Sequence, residues 1–127
     1  MLVEDDLAIA QMYQLGLDAA GFDVAVFADA SAMFQALDLD VPDAAVLDWQ
    51  LPGLLTGVDI IENLRLDLRA HTLPIIMLSN HLGDADGAAE RAFKAGAQEW
   101  LIKSATTPAQ LAQRLKAAIS QPASDAV

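Results

Sequence analysis

The chain contains no cysteine, so neither a disulfide framework nor a thiolate-bound metal is available to it. No apolar run approaches the roughly 20 residues that a membrane-spanning helix needs. The first residues carry no basic segment of the kind that opens a signal peptide. Together these absences read as a cytoplasmic protein. Glycine and proline are sparse, at 7 and 5 residues, while 54% of the chain is hydrophobic, which argues against extended disorder. Positive charge is scarce too: 7 Lys and Arg stand against 18 Asp and Glu, for a net charge of -11. Those seven (Arg65, Arg69, Arg91, Lys94, Lys103, Arg114 and Lys116) form no run. Nucleic-acid backbones and anionic membranes demand clustered Lys and Arg, so direct binding to either is disfavoured.

What remains is a chain of one-domain length that alternates short β-rich runs with longer helical patterns five times. The strands are expected at Leu2 to Glu4, Asp23 to Phe27, Asp43 to Asp48, Pro74 to Ser79 and Gln98 to Lys103. Helices are expected at Asp6 to Ala20, Asp29 or Ser31 to Leu39, Gly57 to Arg69, Asp84 to Ala95, and from Thr107-Pro108 to Ser120. Ile9, Met12, Tyr13 and Leu17 mark the apolar face of the first helix, and Ile60, Ile61, Leu64 and Leu68 that of the third. Gly21 and Gly96 are natural helix stops. Asp29 or Ser31 can cap the second helix; Thr107 followed by Pro108 is a helix start. This pattern predicts an α/β fold, a doubly wound parallel sheet covered on both faces by right-handed crossovers. Residues 1–120 form the domain, and 121–127 a C-terminal tail or the start of a linker. The first strand has only Met1, Leu2 and Val3 before the acids, so either it is short or residues upstream of it are missing from this chain. Leu54-Leu55 is an apolar pair in a loop expected to face solvent.

Four strand ends carry polar residues. Glu4-Asp5 follows Leu2-Val3, Asp48 closes Ala44 to Leu47, Ser79 closes Ile75 to Leu78, and Lys103 follows Trp100-Leu101-Ile102. The carboxyl ends of the strands are where open α/β sheets place ligands and chemistry. Three gathered carboxylates repel one another and raise each other's pKa values, a conflict that a divalent cation resolves. Mg2+ takes oxygen ligands, one or two carboxylates among them. Asp48 could then act as a nucleophile towards phosphorus, with Lys103 neutralising one phosphoryl oxygen and Ser79 donating to another. Read alone, Asp5 and Asp6 are also good helix-capping acids, and Asp6 is assigned that role here while Glu4 and Asp5 face the metal. His71 belongs to a solvated loop.

The stretches Val3-Glu4-Asp5-Asp6, Asp48-Trp49-Gln50-Leu51-Pro52-Gly53, Ile76-Met77-Leu78-Ser79-Asn80, Gly96-Ala97 and Leu101-Ile102-Lys103 resemble the receiver domain of two-component response regulators, over nearly the whole chain. The resemblance implies a flavodoxin-like (βα)5 fold with strand order 2-1-3-4-5. It makes Asp48 the phosphoacceptor, and Glu4, Asp5, Asp48 and the backbone carbonyl of Gln50 the Mg2+ ligands. Ser79 becomes the switch hydroxyl, Lys103 the phosphate-contacting lysine, and Trp100 the occupant of the switch-aromatic position, where packing is the competing role. Gln50, Asn80 and His81 fall where family side chains tune access and phosphoryl lifetime. The phosphodonor is a histidine kinase or a histidine phosphotransfer protein; the receiver of the signal is an effector domain or protein, with a phosphorylation-dependent homodimer as a further assembly. The output surface is the helix 84–95, the strand 98–103 and the helix 107–120. Three substitutions depart from the family: Ser104 for its usual proline, Asn80 for a small residue, and Trp100 for Tyr or Phe.

Such a domain is regulatory, catalysing only its own phosphotransfer and autodephosphorylation. A phosphohydrolase of the haloacid dehalogenase type is the enzymatic competitor. It needs a second acid two residues after the nucleophile, and Gln50 cannot serve. A pseudo-receiver, an interaction module that works without phosphorylation, is the other alternative.

Overall fold

The computed structural model describes residues 1–80 and 87–120. Five strands, β1 (Leu2–Val3), β2 (Val26–Phe27), β3 (Ala45–Asp48), β4 (Ile75–Ser79) and β5 (Glu99–Ile102), form one parallel sheet in the order β2-β1-β3-β4-β5. The helices are α1 (Leu7–Ala19), α2 (Ala30–Leu37), α3 (Gly57–Leu66), α4 (Ala88–Ala95) and α5 (Pro108–Ser120). Buried strand residues alternate between two cores. Val3, Ala45, Leu47, Ile75 and Met77 pack against α2, α3 and α4; Leu2, Val46, Ile76 and Leu78 pack against α1 and α5. Both faces are covered, which is why the strands read as continuous apolar runs rather than alternating ones.

The helix starts follow from their caps. Asp6 Oδ1 accepts from the Ile9 amide at 3.1 Å, and Asp29, not Ser31, caps α2 by accepting from the Ala32 amide at 2.8 Å. Thr56 and Asp59 form a reciprocal capping box on α3 that was not anticipated from the sequence. Thr107 caps α5 by accepting from the Gln110 amide at 3.1 Å.

Several boundaries differ from expectation. The β2 ladder is confined to Val26–Phe27, because this edge strand pairs only with the two residues of β1. α3 ends at Leu66 rather than Arg69: Asp67 is extended, and its carboxylate accepts from the Arg69 amide at 2.9 Å and guanidinium at 2.7 Å, turning the chain. Leu68 therefore leaves the buried face and is 86% exposed. On α1 the buried stripe is Ala10, Tyr13 and Leu17, leaving Met12 exposed on its flank. α4 begins at Ala88, because Gly87 at φ +75° is outside helical backbone; residues 84–86 of the expected helix lie outside the described residues. Lys103 is not the last residue of β5 but the first of a 3-10 turn, Lys103–Ala105.

Arg65, one of the scattered cations, is a staple at the rim opposite the strand ends that carry the acids. Its guanidinium donates to the carbonyls of Gly96 (2.6 Å), Leu73 (2.7 Å), Ala70 and His71 (both 3.2 Å). A side chain at position 96 is sterically barred, since a Cβ there would lie 2.7 Å from Arg65 Nε, and the backbone sits at φ +125°. Arg65→Ala is expected to lower unfolding free energy by about 2 kcal/mol, a charge-assisted hydrogen-bond loss, read as a lower urea midpoint with unchanged m-value.

Candidate functional site: an acidic pocket at the strand ends

The chain leaves β1 towards β2 on one side and returns to β3 on the other, so the crevice between β1 and β3 opens at their carboxyl ends. Glu4 and Asp5 follow β1, and Asp48 ends β3. Carboxylate oxygens of all three lie within 4.8 Å of one another. Glu4 and Asp48 are buried while Asp5 is exposed, giving the cluster a wet side and a dry side.

Lys103 spans the dry side. Its Nζ donates to Glu4 Oε1 at 2.7 Å and to Asp48 Oδ2 at 3.0 Å, with only 9% of the lysine side chain exposed. Asp48 Oδ1 accepts from the Gln50 amide at 3.1 Å, and the Trp49 amide donates to the Leu78 carbonyl at 2.9 Å, so the residues after Asp48 are tied to it and to β4. Burial, followed by the adjacent Asp48 carboxylate, pushes the Glu4 pKa up to about 7 against the opposing pull of Lys103. For Lys103, burial works to lower the pKa, yet its bonds to Glu4 and Asp48 prevail and raise it. One ammonium thus shares two buried acids, which leaves the pocket short of positive charge.

The donor set fits a hard divalent cation. Every potential side-chain ligand is a carboxylate oxygen, and Glu4 Oε2 is buried with no hydrogen-bond partner among the described residues. A buried, unpartnered oxygen on a carboxylate clustered with two other acids is what the ligands of a divalent cation present without their ion.

The structure brings Glu4, Asp5, Asp48 and Lys103 together as expected. Ser79 ends β4, 1% exposed, in register with Ile102, the residue before Lys103; Leu78, before it, is level with Asp48. Asn80 is exposed at the same rim, and His81 lies outside the described residues. Trp100 is level with Met77 on β5 and meets Trp49 edge-on, with ring centroids 4.9 Å apart at 62°. Both indoles pack on the core under α2, α3 and α4, which accounts for the packing role of Trp100. Leu54 is fully exposed and, with Leu55, Phe34 and Pro52, borders a cleft of about 670 Å³ against α2, away from the acids. Ser104 in place of proline does not displace the lysine: the Lys103–Ser104 peptide is trans, and Nζ still reaches both acids.

A parallel sheet of this order with an acid-rich pocket and a lysine at its carboxyl rim defines a flavodoxin-like α/β domain. The particular family follows from comparison: the response regulator receiver domain model matches residues 1–116, and the chain belongs to that family. The phosphate regulon transcriptional regulatory protein PhoB of Rhizobium meliloti is 32% identical over 116 residues, 91% of this chain and 49% of PhoB. The DNA-binding response regulator MtrA of Mycobacterium leprae is 32% identical over 117 residues, 92% of this chain and 49% of MtrA. The chain therefore spans about half the length of these curated relatives. Among solved structures, a putative response regulator from Chloroflexus aurantiacus superposes with a TM-score of 0.85 at 33% identity, covering 94% of this chain and 95% of that one. The chemotaxis response regulator CheY4 of Vibrio cholerae gives a TM-score of 0.81 at 25% identity, over 91% and 93% of the two chains. Among the described residues, no helix is long and apolar enough to cross a membrane.

Proposed function

We propose that this receiver domain accepts a phosphoryl group on Asp48 from a histidine kinase or a histidine phosphotransfer protein, and passes the signal to an effector domain or protein. The observation that carries this reading is the Lys103 ammonium bonded to both Glu4 and Asp48 beside an unpartnered Glu4 oxygen. In the transfer, an Asp48 carboxylate oxygen attacks phosphorus, the P–N bond to the donor imidazole breaks, and that nitrogen keeps the electron pair. Glu4, Asp5, Asp48 and the Gln50 carbonyl would hold Mg2+, which supplies charge neutralisation for the incoming phosphoryl oxygens. Lys103 exchanges its contact with Asp48 for a phosphoryl oxygen, and Ser79 donates to another. Gln50, Asn80 and His81 govern access of water and hence autodephosphorylation. The bound phosphoryl group favours a state in which Ser79 moves inward, Trp100 responds, and the surface of 84–95, β5 and α5 changes its fit to a partner. Domain limits of 1–120, with 121–127 as a tail outside the described residues, belong to the same reading, as does a cytoplasmic setting.

The complete acid, hydroxyl and lysine set disfavours a pseudo-receiver. The test is intact mass after exposure to a small acyl phosphate, with and without Mg2+. One phosphoryl adduct that requires Mg2+ is expected; no adduct at high donor concentration would return the pseudo-receiver.

A further inference from the structure

Tyr13, on the buried stripe of α1, is fully enclosed, and its hydroxyl donates to the Thr106 carbonyl at 2.9 Å and lies 3.4 Å from the Lys103 carbonyl. These contacts join residues 90 and more positions apart, and both fall on the turn that carries Lys103. That turn has little holding it from within. Its own bond, from the Thr106 amide to the Lys103 carbonyl, is 3.4 Å long, and Ser104 and Ala105 are exposed. Of these bonds to the turn's backbone carbonyls, the shortest therefore comes from another helix. An apolar ring would fill the same core volume, and a buried hydroxyl is costly unless it finds a partner. The oxygen's place is explained by what it holds rather than by packing.

We propose that the Tyr13 hydroxyl is a positioning group for chemistry at Asp48: it anchors the 103–106 turn so that Lys103 reaches Glu4 and Asp48 from a fixed base. Lysine has a long, flexible stem and compact charge, so the location of its ammonium depends on where its backbone is fixed. A charged group that must meet a phosphoryl oxygen gains from support by a second layer of hydrogen bonds. The backbone that carries Glu4, Asp5 and Asp48 lies at the ends of β1 and β3, not on this turn, so the two halves of the pocket separate under mutation: the metal ligands stay in place and the lysine loosens. The inference rests on the phosphoacceptor reading given above.

The test compares Tyr13→Phe with Leu17→Val, which trims a buried neighbour on the same helix stripe whose side chain has no hydrogen-bonding group to hold the turn. Each is followed for the rate of adduct formation from acyl phosphate at saturating Mg2+, for Mg2+ affinity, and for the Lys103 side-chain resonance in 13C-lysine-labelled protein, assigned with Lys103→Arg. Tyr13→Phe is expected to slow adduct formation several-fold and shift the Lys103 resonance, with any change in Mg2+ affinity smaller than the change in rate. Leu17→Val is expected to lower the melting temperature with rate and resonance as in the wild type. A wild-type rate and resonance in Tyr13→Phe, or equal slowing in Leu17→Val, overturns the positioning role. If the wild type forms no adduct, the phosphoacceptor reading falls and this inference with it.

Discussion

Asp48→Asn is expected to accept no phosphoryl group from acyl phosphate and Mg2+, and at the same time to melt at a higher temperature than the wild type in metal-free buffer near neutral pH. The two effects have one origin. Asp48 is buried beside Glu4, and its carboxylate is the second largest cause of the raised Glu4 pKa. Without metal, the single Lys103 ammonium must serve both acids. An amide at position 48 removes a nucleophile that nothing else supplies, since an asparagine side chain cannot form the acyl phosphate. It also removes one of two like charges and leaves Lys103 and Glu4 as a one-to-one pair. Relief of that repulsion outweighs the lost contact between Lys103 and Asp48, because the remaining pair keeps its 2.7 Å bond. A gain of about 1 kcal/mol corresponds to a rise of about 3 °C for a chain of this size. Intact mass and a thermal melt on the same sample check both halves. An adduct on the Asp48→Asn variant would mean that another side chain is phosphorylated. A lower melting temperature would make Asp48 chiefly a structural ion-pair partner.

The fold was legible in the sequence because its strands are buried on both faces. A run such as Ile75-Ile76-Met77-Leu78 has no other sensible location, and five such runs separated by helical patterns leave few topologies. The rim of the pocket was legible for the same reason: a polar residue immediately after a buried parallel strand must emerge at its carboxyl end. Contacts made across long sequence separations were not. Nothing around Arg65 indicates that its guanidinium would collect carbonyls from Ala70 to Gly96, because the pattern exists only after α3 and α4 pack side by side. Tyr13 was visible as a member of an apolar stripe, but its oxygen has a use only through the turn that α1 meets. Met12 and Leu68 were misplaced because apolar spacing marks a face without fixing its width or the point where the helix stops. Apart from the end of α3, which Asp67 and Arg69 set locally, the missing information was tertiary.

The sharpest consequence of the pocket's electrostatics concerns pH and Mg2+ together. Glu4 titrates at about 7 in the folded protein against an ordinary value of 4.5. An acid whose pKa is raised by folding holds its proton more tightly in the folded state. Between pH 4.5 and 7 the folded chain thus binds more protons at this site than the unfolded one, and stability falls as pH rises through that window. The contribution is fully present below 4.5 and lost above 7. Mg2+ reverses the slope, since it binds the ionised carboxylate and must displace the proton: affinity is expected to climb about tenfold per pH unit up to neutrality and then level off. Metal-free melting temperatures should therefore decline from about pH 5 to about 7.5, whereas saturating Mg2+ should hold them level or raise them. Glu4→Gln isolates the cause, because other carboxylates of this acidic chain titrate alike in both proteins. The difference in melting temperature between wild type and Glu4→Gln should change across this window and remain constant above it, and calorimetric Mg2+ affinity of the variant should lose its pH dependence there. Parallel wild-type and variant profiles would show that Glu4 is ionised throughout, and that the pocket does not exchange a proton for its metal.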